Sequence, residues 1–167
     1  MIEIILTNRP VELKKPISWV NGITRMKTNG AFDHIAWMQN GLVYESTAGK
    51  GVHLIHFEDW KKGREGTTIF IYSDLPEDLI DFDIFFDFYS RPTKYDYKAN
   101  ALFFFGMLHK LKKKNTKRQF CSELVANCIA KFMIKLGFKE YLESYKLTPV
   151  DIERHLRKIG ELRTETI

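Results

Sequence analysis

Cysteine is scarce in this chain, two in 167 residues, which excludes the multi-bridge framework of a small secreted module; a chain this long holds a core without one. A reducing compartment is the simpler reading. Long apolar runs are missing too: even the aromatic stretch 101–108 stops at His109 and Lys110, far short of the roughly 20 residues of a membrane-spanning helix. Residues 1–10 carry a short apolar run interrupted by Glu3, without the basic start and longer apolar stretch of an export signal, so the expected location is cytoplasmic. Also absent are a Gly-rich phosphate loop and a Gly-x-Ser-x-Gly elbow, which sets those two chemistries aside. There is no internal repeat and no low-complexity linker.

What is present is ordinary globular composition, 44% hydrophobic and 28% charged, which excludes a largely disordered or collagen-like chain. The length supports a single domain over 1–167. A net charge of +5 favours acidic partners only weakly. Much of the basic charge falls in residues 110–118, where Lys112, Lys113, Lys114, Lys117 and Arg118 are candidates for contact with an anionic surface. Aromatic residues are not interleaved through that run, so nucleic acid is not an expected partner.

Strand signals come first. Residues 2–6 read as a strand or an entry segment closed by Pro10 and Pro16. Three runs, 32–38, 42–47 and 52–57, are separated by Asn40-Gly41 and by Gly49-Lys50-Gly51, and Asn-Gly between apolar runs is a strong hairpin signal. Residues 67–72 add a fourth run and would complete an antiparallel meander. Helical periodicity follows: a helix opening at Pro76 with Leu79, Phe82, Phe86 and Tyr89 on one face, a second over 97–111, a third over 120–136, and a last one opened by Thr148-Pro149 and running to Gly160. The third carries Cys121, Leu124, Val125, Cys128, Ile129, Phe132, Met133 and Leu136 on one stripe, with Gly137 as its C-cap. Strands before helices predict an α+β domain in which helices cover a small antiparallel sheet.

Three residues stand out for chemistry. Cys121 opens a helix, where unpaired N–H groups and the dipole stabilise a thiolate; the alternative role is a small buried hydrophobe, which most reduced cysteines are. His34 lies in the first strand of the Asn40-Gly41 hairpin, and a two-residue loop pairs Gln39 with Leu42 and sets Glu45 diagonally on the face of His34. A three-residue loop would send Glu45 to the opposite face. A carboxylate on one ring nitrogen fixes the tautomer and leaves the other to take a thiol proton; otherwise His34 is a satisfied core histidine and Glu45 a solvent-facing strand residue. Metal ligation is not expected, since Cys121 and Cys128 lie about 10.5 Å apart along a helix and His53 and His56 have opposite strand parity.

These segments together resemble the circularly permuted branch of the NlpC-type papain-like cysteine hydrolases, the YiiX-like group, in which the histidine strand precedes the cysteine helix. Asp33-His34-Ile35-Ala36 is similar to the family's histidine strand, Tyr44-Glu45 with Gly51-Val52 to the following strand and turn, and Tyr95-Asp96-Tyr97 to its Tyr-Asp element. Phe120-Cys121-Ser122-Glu123-Leu124-Val125 resembles the nucleophile motif and Thr148-Pro149-Val150-Asp151 the closing helix start. Asp33 departs from the small or hydroxyl residue usual before the histidine. The resemblance implies a permuted papain-like fold with Cys121 as nucleophile, His34 as base and then acid, and Glu45 as the orienting third residue. Tyr95 or Gln119 would add an oxyanion donor beside the backbone N–H of Cys121. It also implies amide hydrolysis through a thioester, without a cofactor, on a peptide, cell-wall fragment or N-acyl compound. A lipid acyltransferase or thioesterase similar to lecithin retinol acyltransferase, or a non-catalytic ligand-binding domain of the same fold, are the alternatives.

Overall fold

The computed structural model describes residues 1–9, 32–62, 64–91 and 121–167, together with the backbone of 94–95 and 118–119. The first strand, β1 (Ile2–Asn8), is apolar and buried almost throughout, as a strand covered on both faces must be. It is followed by β2 (His34–Gln39), β3 (Leu42–Thr47), β4 (Gly51–His56), a short helix α1 (Phe57–Lys61) and β5 (Thr68–Ser73). Next come α2 (Phe82–Ser90), the two-residue strands β6 (Lys94–Tyr95) and β7 (Arg118–Gln119), α3 (Cys121–Lys135), a 3₁₀ segment (Lys139–Lys146), α4 (Pro149–Leu156) and β8 (Glu161–Thr166). The domain is α+β: six antiparallel strands in the order β4-β3-β2-β1-β5-β8, with helices packed against them.

Two parts of this order differ from the sequence reading. The run at 67–72 does not extend the meander, because β1 inserts between β2 and β5 and pairs with both. The C-terminal strand β8, every residue of which is exposed, carries no alternation of apolar and polar residues that would mark it. The hairpin itself is as expected. Asn40 (φ 52°) and Gly41 (φ 75°) supply the two left-handed residues of a two-residue turn, and Gln39 pairs with Leu42.

Strand alternation divides the sheet into two faces. Ile4, Leu6, Ile35, Trp37 and Tyr44 join the larger core with Leu124, Val125, Cys128 and Ile129 of α3 and Phe85 of α2. Ile5, Ala36, Met38, Val43, Ile69 and Ile71 form the smaller core beneath Trp60 of α1. Each fully buried large side chain here contributes roughly 1.5–3 kcal/mol.

The helices depart from expectation mainly at their ends. The one expected from Pro76 begins at Phe82, because Leu79 N–H closes a turn on Pro76 and Asp81 N–H bonds the Cys128 carbonyl of α3. That later start puts Phe85 and Phe88, not Phe86 and Tyr89, in the core; the latter two are 48% and 46% exposed. Phe85 meets Trp37 and Tyr44 edge to face. The α3 stripe is buried from Cys121 to Ile129 and at Met133, with Phe132 partly buried, but Leu136 follows the last helical residue and is exposed. Gly137 takes φ 92° after it, the left-handed C-cap geometry. Thr148 caps α4 through a reciprocal box with Asp151, worth about 1 kcal/mol. That helix stops at Leu156 and not at Gly160, where a side chain would meet Leu75 at 2.6 Å and the Ser73 carbonyl at 2.9 Å. The helix expected over 97–111 and the lysines at 112, 113, 114 and 117 lie outside the described residues.

Candidate active site

His34 is the first residue of β2 and Cys121 the first of α3. His34 shares strand parity with Ala36 and Met38, on the smaller-core face, whereas α3 covers the opposite face. The two side chains nevertheless come together where their elements begin, close enough for Cys121 to act on the imidazole. Glu45 has the parity of Val43 and comes to the imidazole from the same face, with Oε2 2.7 Å from His34 Nε2. Nε2 being engaged by the carboxylate, Nδ1 is the ring nitrogen left for the thiol. The loop parity that governs this contact is the one a two-residue turn imposes.

Glu45 is almost completely enclosed, and its neighbours supply donors to both oxygens. The indole N–H of Trp60 donates to Oε2 at 2.9 Å. His53 Nε2 lies 3.1 Å from Oε1, and an Arg64 guanidinium nitrogen lies 3.6 Å from the same atom. Arg64 in turn stacks over the Trp60 ring, 4.2 Å from its centroid. Burial alone would raise the carboxyl pKa, but hydrogen bonds from His34, His53 and Trp60 hold it far below the usual carboxylate range. For His34, burial lowers the pKa; hydrogen bonding and electrostatic interaction with Cys121 and Glu45 outweigh it and raise the value to about 9. At neutral pH the His34 ring is an imidazolium held between the Cys121 side chain and the Glu45 carboxylate.

Asp33 does not compete for the imidazole. Its Oδ1 accepts from the Thr7 hydroxyl at 2.6 Å and its Oδ2 from the Arg9 backbone N–H at 3.1 Å, which ties it to β1. Tyr95 and Gln119 are register partners in the short parallel ladder β6-β7, which lies against β4 and ends two residues before Cys121. Their side chains lie outside the described residues.

His53, Trp60 and Arg64 were not singled out by sequence. A signal for His53 exists: the Gly49-Lys50-Gly51 turn sets Thr47 opposite Gly51 and therefore Glu45 opposite His53. Trp60 and Arg64 reach Glu45 only because α1 folds over the sheet, which no local pattern announces. Among the described residues no group of three or more His, Cys, Asp or Glu side chains is arranged to hold a metal ion. A cavity of about 370 Å³ between the start of α2 and the end of α3 contains none of the site residues. Comparison of the chain with models of known protein families and with curated proteins finds no match.

Proposed function

We propose that this chain is a cysteine hydrolase of the permuted papain-like kind, acting in the cytoplasm on an amide bond of a peptide, cell-wall fragment or N-acyl compound. The observation that carries this reading is the position of His34 between Cys121 and Glu45. The order of the chain, histidine strand before cysteine helix with an antiparallel sheet packed on helices, supports it.

In this reading the proton of Cys121 already rests on His34, and the thiolate attacks the substrate carbonyl carbon. The carbonyl π pair moves to oxygen, where the backbone N–H at the start of α3, unpaired within the helix, faces the developing charge. Collapse breaks the C–N bond as the His34 imidazolium protonates the leaving amine, which leaves a thioester on Cys121. Water then gives a proton to His34, adds to the thioester and releases the acid, with the thiolate as leaving group. Glu45 keeps the imidazole oriented and stabilises its positive form throughout.

Intact-mass spectrometry after exposure to N-acyl amides and acyl thioesters tests this. A mass increase equal to the acyl group, lost in Cys121→Ser and discharged with time, is the expected result. An adduct formed only from long-chain lipid donors and passed to an acceptor other than water would make the chain a lipid acyltransferase. Absence of any adduct and any turnover would leave a ligand-binding domain.

A further inference from the structure

Glu45 and His53 are direct register partners across β3 and β4, so the ladder itself sets both side chains on one face at one level. His53 is held at both ends. Its Nδ1 lies 2.9 Å from the Gly51 carbonyl, two residues back on its own strand, and its Nε2 lies 3.1 Å from Glu45 Oε1. A carboxylate only accepts hydrogen bonds, so in the contact with Glu45 it is His53 Nε2–H that donates. Gly51, at φ 73°, is the residue whose left-handed backbone opens β4 and presents that carbonyl.

The consequence for Glu45 is a division between its oxygens. Oε2 serves His34 and is braced by Trp60, whereas Oε1 has His53 as its close donor, Arg64 standing farther off at 3.6 Å. A carboxylate anchored at one oxygen can rotate about its terminal torsion, which is broad and weakly restrained; anchoring the second oxygen stops that rotation. We infer that His53 is a positioning residue of this site: by donating to Oε1 from the neighbouring strand it locks the Glu45 carboxylate so that Oε2 meets His34. This rests on the hydrolase reading above, and it adds a fourth residue that never touches substrate.

The test uses the rate of Cys121 alkylation by iodoacetamide at pH 6.5 in the full chain, read by peptide mass spectrometry, with the melting temperature as a fold control. Five forms are compared: wild type, His53→Leu, His53→Gln, Glu45→Gln and the double variant of His53→Leu with Glu45→Gln. His53→Leu should slow Cys121 labelling by roughly tenfold, a size typical of coupled neighbours. His53→Gln, whose amide retains a donor at the Nε2 position, should restore the rate to within about threefold of wild type. In a Glu45→Gln background His53→Leu should have no further effect. If His53→Leu does not fold, His53→Asn replaces it, since its amide reaches the Gly51 carbonyl but not Glu45.

Unchanged labelling in a folded His53→Leu or His53→Asn protein would overturn the inference while leaving the hydrolase reading intact. So would equal slowing by Leu and Gln, or an effect that persists without the Glu45 charge. A wild-type Cys121 no faster than Cys128 would instead remove the reading on which the inference stands, and the inference with it.

Discussion

His34 Nε2 and Glu45 Oε2 lie 2.7 Å apart within a buried pocket, while the carboxylate adjacent in sequence, Asp33, is turned to Thr7 and Arg9. The imidazole is therefore served by a residue eleven positions away and not by its chain neighbour. Glu45→Gln should lower turnover about ten- to a thousandfold, a loss of roughly 1.4–4 kcal/mol of transition-state stabilisation. Asp33→Asn should cost far less activity, and steady-state kinetics of the two variants side by side would show it. A reversal of the two effects would mean that Glu45 is structural.

The two cysteines should separate by role. Cys128 is fully buried in the larger core, and Cys128→Ser places a hydroxyl there at a cost of about 1–3 kcal/mol, visible as a lower urea midpoint. Cys121→Ser should abolish turnover with a midpoint near wild type, since the hydroxyl that replaces the thiol still has the His34 ring as a polar neighbour. A Cys121→Ser protein that fails to fold would argue for a packing role.

How much of this was legible in the sequence depends on the range of the interactions. Asn40-Gly41 fixed the hairpin register, and with it the shared face of His34 and Glu45, because turn type and strand parity are local rules. The cap of α4 by Thr148 and Asp151 and the stripe from Cys121 to Met133 were legible for the same reason. Insertion of β1 between β2 and β5, the strand β8 and the donors Trp60 and Arg64 were not, since each arises from pairing or packing between distant segments. The start of α2 was misplaced because Pro76 and its acidic neighbours imitate a helix opening, while the Asp81–Cys128 backbone contact decides the true one.

Stability should depend on pH through the same pair. Folding raises the His34 pKa to about 9, so its contribution is complete below the unfolded value of about 6.5, shrinks as pH rises, and is lost above the folded value. Glu45 runs the other way: its depressed pKa contributes above the ordinary carboxylate range and is lost as pH falls below it. Melting temperatures should fall as pH drops below the ordinary carboxylate range, and Glu45→Gln should flatten that slope, because Glu45 is ionised in the folded protein well below its ordinary value. An identical slope in the variant would contradict the coupling.

Trp60→Phe preserves the ring that fills the smaller core but removes the N–H that donates to Glu45. A buried carboxylate left short of one donor should cost about 1–3 kcal/mol. Chemical denaturation would measure it; a variant as stable as wild type would show that Glu45 is satisfied by His34, His53 and Arg64 alone.

The most direct measurement is the relative rate at which iodoacetamide labels Cys121 and Cys128 in the native protein between pH 6 and 7. Thiolate fraction and access govern that rate. With Cys121 paired to a His34 imidazolium at the start of α3 and Cys128 sealed in the core, Cys121 should react much faster, and His34→Gln should abolish the difference. Equal, slow labelling of both thiols would contradict the claim that Cys121 is an activated nucleophile.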